Sequence, residues 1–227
     1  MTIKRPASPF WRFCYENGLL LVVGLLVVLT LTGQFFTGWN DYNDELKEMG
    51  LAQLSAGQYF TSGHFLEATF ENWESEFLQM GLYVVLTVWL RQKGSSESKK
   101  LYEDEDVDAE PDPNKPNAPG PVRQGGWVLT IYKSSLSIAL FALFFGCVWL
   151  HAKGGAEVYS IEQVHEGKAP VSTLQYLGTS RFWFESFQNW QSEFLSIVSI
   201  VGLSIFLRQQ GSPESKPVDA EHAETGK

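Results

Sequence analysis

NWESEFL (residues 72–78) returns as NWQSEFL (residues 189–195), and each copy stands just ahead of an apolar run. The two are 117 residues apart, and the same offset pairs Tyr15 with Tyr132, Tyr42 with Tyr159 and Arg91 with Arg208. Residues 15–99 align with 132–216 without a gap, and about a third of the paired positions are identical. A fixed register over that length marks an internal duplication in which each copy is one structural unit.

The apolar runs beside this motif decide the fold class. Residues 17–40 carry no charge and suffice, as a helix, to cross about 30 Å of hydrocarbon. Lys4, Arg5 and Arg12 precede this run as the basic region of a secretory signal would, but no small-x-small cleavage site follows Leu31, so an uncleaved span is expected. A second uncharged run, 134–152, lies between Lys133 and Lys153. The runs behind the two heptapeptides, 77–90 and 194–207, make only about 21 Å of helix each. Each must borrow length from the aromatic residues ahead of it, so the helix is expected to begin near Phe65 or Phe182, lie partly in the interface and then descend.

The expected fold is all-α and integral to a membrane, with four transmembrane helices (17–38, 68–91, 130–152 and 185–208). They form two tandem parallel helical-hairpin repeats, 1–99 and 127–216, related by an axis along the membrane normal. The acidic, Pro-rich linker 100–126 and the tail 217–227 have little to bury and are expected to be disordered. The loops 37–63 and 153–180 are expected to hold short helices around 44–49 and 161–166. Lys4, Arg5, Arg12, Arg91, Lys93, Lys99, Lys100, Arg123, Lys133, Arg208 and Lys216 fall on one side, against Lys47, Lys153, Lys168 and Arg181 on the other, which places both termini and the linker in the cytoplasm.

Charge and spacing exclude several functions. A net charge of −9 argues against a nucleic-acid partner. Cys14 and Cys147 stand at depths too different for a disulfide and show no metal-ligand spacing. Phosphate loops and nucleophile triads are missing at useful spacing, so no catalytic residue, enzyme activity or cofactor is expected.

Polar residues kept in both copies supply the candidate sites. Asn72, Ser75, Glu76 and Gln79 share one helix face, repeated as Asn189, Ser192, Glu193 and Ser196. That face turns toward the axis between the repeats or toward water, where Glu76 and Glu193 could approach each other. RQKGSSESK (91–99) and RQQGSPESK (208–216) are the other doubled motif. Gly94 and Gly211 end the helix there, and Arg91, Glu97, Lys99, Arg208, Glu214 and Lys216 are candidate contacts to lipid headgroups or a partner. His64, Glu67, Glu71 and Glu74 form a further stripe resembling metal ligands, but the second copy holds Arg181, Phe184, Gln188 and Gln191 there. Metal ligands in a bundle come from several helices, so no metal site is expected.

With ENG (16–18), GWNDYNDEL (38–46), SGHFLEATFENWESEFLQM (62–80) and RQKGSSESK, the chain resembles a family of bacterial membrane proteins classed only as a domain of unknown function and carrying an NWESEFLQ-type motif. The resemblance implies a small bacterial inner-membrane protein and brings no activity, substrate or cofactor. Two readings stand. One is a structural or interaction protein whose partners are the lipid bilayer and another membrane protein or a second copy. The other is a small channel or proton- or cation-linked carrier using Glu76 and Glu193.

Overall fold

A computed structural model of the protein describes residues 8–226; Lys4 and Arg5, which contribute to the expected orientation, lie outside the described residues, as does Lys227. The described residues form helices and irregular segments and no strand. Helix α1 spans Pro9–Glu16, α2 Gly18–Glu48, α3 Ala56–Phe60 and α4 Gly63–Trp89. After the linker come α5 (Gly120–Gln124), α6 (Gly126–Lys133), α7 (Ser135–His165), α8 (Thr173–Tyr176) and α9 (Ser180–Phe206). Both ends of α2 and α7, and both ends of α4 and α9, differ by the 117-residue offset read from the sequence.

Local chemistry sets these boundaries. Pro9 opens α1 at a position where its missing N–H costs nothing. Ser62 and Thr179 cap α4 and α9, their hydroxyls accepting from the Phe65 and Phe182 amides at 3.3 Å. Ser55 with Gln58, and Ser172 with Gln175, form capping boxes on α3 and α8. Two expectations are corrected here. Residues 44–49 and 161–166 make no separate short helices, because nothing interrupts α2 before Gly50 (φ 72°) or α7 before Gly167 (φ 76°). The short helices are instead α3 and α8, where the capping serines fall.

Helices α2 and α7 are long and apolar enough to cross a membrane, and among the described residues they are the two that are. The first halves of α4 and α9 carry Glu67, Glu71, Glu74, Arg181 and Glu185 in place of apolar residues.

Packing is unequal between the copies. Helix α4 runs antiparallel along α7, with Gly63 against Gly154 at the end nearest the α2–α3 and α7–α8 loops, and Gly81 against Phe141 towards the other end. Small residues let helix backbones approach this closely. At the corresponding places on α9 and α2 stand Ser180, Thr37 and Val198, and α9 has no comparable packing on α2. Helix α2 is held from Leu31 onward, where Phe35, Trp39, Tyr42 and Leu46 pack with Tyr59 and Phe65 and Gln34 donates to the Thr69 hydroxyl at 3.3 Å. Its residues 19–29 are exposed along their length. The second copy repeats this core with Tyr159, Tyr176 and Phe182. Gly38 and Gly155, retained in both copies, are where Tyr59 and Tyr176 lie flush on the helix and leave no room for a Cβ.

At the other end, the linker and tail have little regular structure but are not loose tethers. The tail lies across the ends of α4 and α9: the Gly226 amide donates to the Ser95 carbonyl at 3.0 Å, and the Gly94 amide to the Thr225 hydroxyl at 2.9 Å. In the linker, Lys99 pairs with Asp108 at 2.5 Å and Lys133 with Glu110 at 2.8 Å. Cys14 and Cys147 are not joined.

Candidate functional site

The two sets of sequence candidates have mainly local roles. Asn72 and Asn189 donate to the Ala68 and Glu185 carbonyls of their own helices, at 2.9 and 3.1 Å. Ser75 and Ser192 likewise donate to the Asn72 and Asn189 carbonyls, at 2.7 and 2.8 Å. Glu76 is exposed and Glu193 half-buried. The link between these faces is Gln79, whose amide donates to the Glu193 carbonyl at 2.8 Å and to the Ser196 hydroxyl. The structure thus joins the two faces through Gln79.

The doubled RQxGSxESK motif is a helix-closing turn. Ser98 and Ser215 accept from the Gln92 and Gln209 amides at 2.9 Å, and the Glu97 and Glu214 amides donate to Ser95 and Ser212 at 3.1 Å. Arg91 and Arg208 donate to the last carbonyls of α4 and α9. The Glu97 carboxylate accepts from Tyr83 at 3.2 Å, and the Glu214 carbonyl accepts from Ser96 at 3.2 Å. Headgroup contact by Lys216 is corrected: it is 2% exposed, and its ammonium donates to the Glu221, His222 and Glu224 carbonyls at 3.1, 3.1 and 2.8 Å. Three carbonyls saturate its three donors.

The densest polar constellation lies elsewhere, where α4, α7 and α9 meet. His151 of α7 is fully buried; its Nδ1 is 3.1 Å from Glu74 Oε2 and its Nε2 is 3.4 Å from Glu185 Oε2. Glu74, also fully buried, accepts at Oε1 from Trp190 Nε1 at 3.3 Å. The Tyr176 hydroxyl lies 3.0 Å from Glu67 Oε1 and 2.7 Å from Glu185 Oε2. Arg181 donates to Glu185 Oε1 at 3.0 Å and to Glu162 Oε2 at 2.5 Å. Its guanidinium also stands 5.6 Å over the Tyr159 ring. A cavity of about 210 Å³ opens on this junction beside Glu67, Glu71, Glu162, Arg181 and Glu185.

Two groups of the junction feel the surrounding carboxylates. Burial raises the Tyr176 phenol, and repulsion from Glu67 and hydrogen bonding to Glu185 push it further the same way. Burial works against the Arg181 charge, but the hydrogen bonds to Glu162 and Glu185 outweigh it and hold the guanidinium cationic.

His151, Tyr176 and Glu185 were not among the sequence candidates, and the Glu67–Glu71–Glu74 stripe was set aside for having no partner helix. The partner helices are α7 and α9. Comparing the copies for retained residues steered away from this place, because the junction sits where they differ: Gln34 stands at the position of His151, Ala68 at that of Glu185 and Phe184 at that of Glu67. A usable signal was present in His151 itself, an ionisable residue at the end of an uncharged run.

Fold and junction define an all-helical protein with two helices able to cross a membrane and a buried histidine–carboxylate centre. More particularly, the chain matches over residues 10–227 the family described as Domain of unknown function (DUF6766), and it belongs to that family. No curated protein and no solved structure matches it.

Proposed function

We propose that this chain is a four-span protein of the bacterial inner membrane, made of two parallel hairpin repeats with both termini cytoplasmic, and that it acts by association rather than by catalysis. The observation that carries this reading is the inequality of α2 and α7. These helices occupy equivalent places in the duplicated sequence, yet α7 is sheltered by α4 whereas residues 19–29 of α2 have no protein cover. Leu19 is 83% exposed and Leu20 74%. The glycines that admit α4 onto α7 are Ser180, Thr37 and Val198 on the α9–α2 side, so the chain does not complete its own symmetry. A second copy, offering the same α2 and α9 faces, is the partner that would complete it. The carrier reading gains no support from the geometry, since Asn72, Ser75, Asn189 and Ser192 spend their donors on their own helices.

Cysteine cross-linking in native membranes tests this. In a Cys14→Ser, Cys147→Ala background, single cysteines placed along residues 19–29 should give cross-linked dimers with a helical periodicity, and the detergent-solubilised protein should have the mass of a dimer. A monomeric mass at every protein concentration, with no cross-link at any of those positions, would overturn the reading.

A further inference from the structure

The α4–α7–α9 junction has the composition and spacing of a metal centre. Ligand atoms of Glu67, His151 and Glu185 all lie within 4.8 Å of one another. Bonds from zinc to nitrogen or carboxylate oxygen are about 2.0–2.2 Å, which sets neighbouring ligands of a tetrahedral ion about 3.4 Å apart. The His151 Nε2 to Glu185 Oε2 separation is 3.4 Å, long for a hydrogen bond and right for two ligands of one ion. Arg181 does not block the place, because it takes Glu185 Oε1 and leaves Oε2 facing His151 and Tyr176.

The surroundings match what metal-bound histidines require. His151 Nδ1 is engaged by Glu74, so the imidazole is oriented by a buried carboxylate with Nε2 directed at the remaining ligands. The Phe182 ring, 4.8 Å from the imidazole, packs against it and restricts its rotation.

Charge points the same way. Glu67, Glu71, Glu74, Glu162 and Glu185 converge on the junction, where Arg181 is committed to Glu162 and Glu185. Arg181 and His151 face only part of this negative charge, and a divalent ion would add positive charge between Glu67 and Glu185.

We propose that Glu67, His151 and Glu185 bind one divalent first-row transition-metal ion, of the zinc or iron(II) class, with Tyr176 beside them as a further oxygen donor. The mixed imidazole and carboxylate set, without thiolate, selects that class over copper(I), and the imidazole disfavours magnesium and calcium. The ion fastens α9 to α4 and α7. Gln34, Ala68 and Phe184 occupy the corresponding places of the other half, so the paired positions do not form a second such site. The proposal stands apart from how the chain associates.

The test uses the full chain in detergent, stripped with a chelator and titrated with zinc by calorimetry and with cobalt by visible absorption. One equivalent should bind per chain, with cobalt bands of low-symmetry nitrogen–oxygen ligation and a rise in melting temperature on adding zinc. His151→Gln places at 151 the residue found at Gln34 and is chosen to preserve the fold. It should weaken binding at least tenfold and abolish the thermal shift, as should Glu185→Gln and Glu67→Gln. Glu76→Gln, away from the junction, should leave binding unchanged. Circular dichroism and gel filtration identify any variant that does not fold, and the remaining two then decide. No saturable uptake up to millimolar zinc, or uptake unaffected by the folded variants, overturns the proposal.

Discussion

Replacing Gly154 by alanine tests the packing on which the junction depends. A Cβ there would stand 2.5 Å from the Gly63 carbonyl oxygen and 2.6 Å from the Glu67 amide nitrogen, both backbone atoms unable to rotate away. Ordinary contact begins at 3.4 Å, so α4 and α7 must part by roughly 0.9 Å at this crossing, and overpacking of that kind costs about 1–3 kcal/mol. Alanine recovers about 1 kcal/mol of helix propensity over glycine, which leaves a net loss centred near 1 kcal/mol. For a chain of this size that lowers Tm by about 2–4 °C. Gly146 is the control, in the same helix but with nothing within 4 Å of its Cβ position. There only the propensity acts, and Gly146→Ala should raise Tm by about 2–4 °C. Thermal unfolding in one detergent, followed by circular dichroism and tryptophan fluorescence, reads the gap between the two variants. A Gly154→Ala protein that melts at or above Gly146→Ala would refute the reasoning, because the close crossing would then not constrain the fold.

Three further outcomes follow from the same geometry. Tyr176→Phe removes the hydroxyl shared by Glu67 and Glu185 and should cost about 1–3 kcal/mol, read as a lower Tm. Tyr59 is raised from 10.0 to about 12 by burial and by repulsion from Asp41 and Glu45. The unfolded chain therefore gives up this proton first as pH rises, so the stability Tyr59 contributes is fully present below pH 10 and is lost on approaching pH 12. Melting temperatures should accordingly fall more steeply across that window in wild type than in Tyr59→Phe. Arg208 donates to the Pro217 and Ala220 carbonyls, and Lys216 to three more, so Arg208→Ala with Lys216→Ala should undock the tail and speed proteolysis within residues 217–226.

Much of the architecture was legible before any coordinates. The offset of 117 residues and the charge-free runs are periodic or local features and reappear in the helix bounds, whereas the starts of α4 at Gly63 and α9 at Ser180, fixed by the Ser62 and Thr179 caps, fall two residues ahead of the Phe65 and Phe182 expected. The retained Gly–Ser–x–Glu–Ser–Lys turns follow the helix ends rather than making them: α4 and α9 stop at Trp89 and Phe206, five residues before Gly94 and Gly211, and the turns' own hydrogen bonds close within seven residues.

Tertiary structure alone decided which helices meet and therefore where the polar centre lies. Two hairpins of one sequence could pack α2 on α4 and α7 on α9, or exchange partners; the choice of α4 on α7 rests on Gly63, Gly81 and Gly154, whose effect exists only when another helix is laid against them. That choice brings Glu67 and Glu74 to His151 and Glu185 across 77 or more residues of chain, a convergence no spacing along one helix can display. The 117-residue offset sets out helices of matching bounds, and it is the contact positions that differ across that offset, Gly63, Gly81 and Gly154 against Ser180, Val198 and Thr37, that accompany the close packing of α4 on α7.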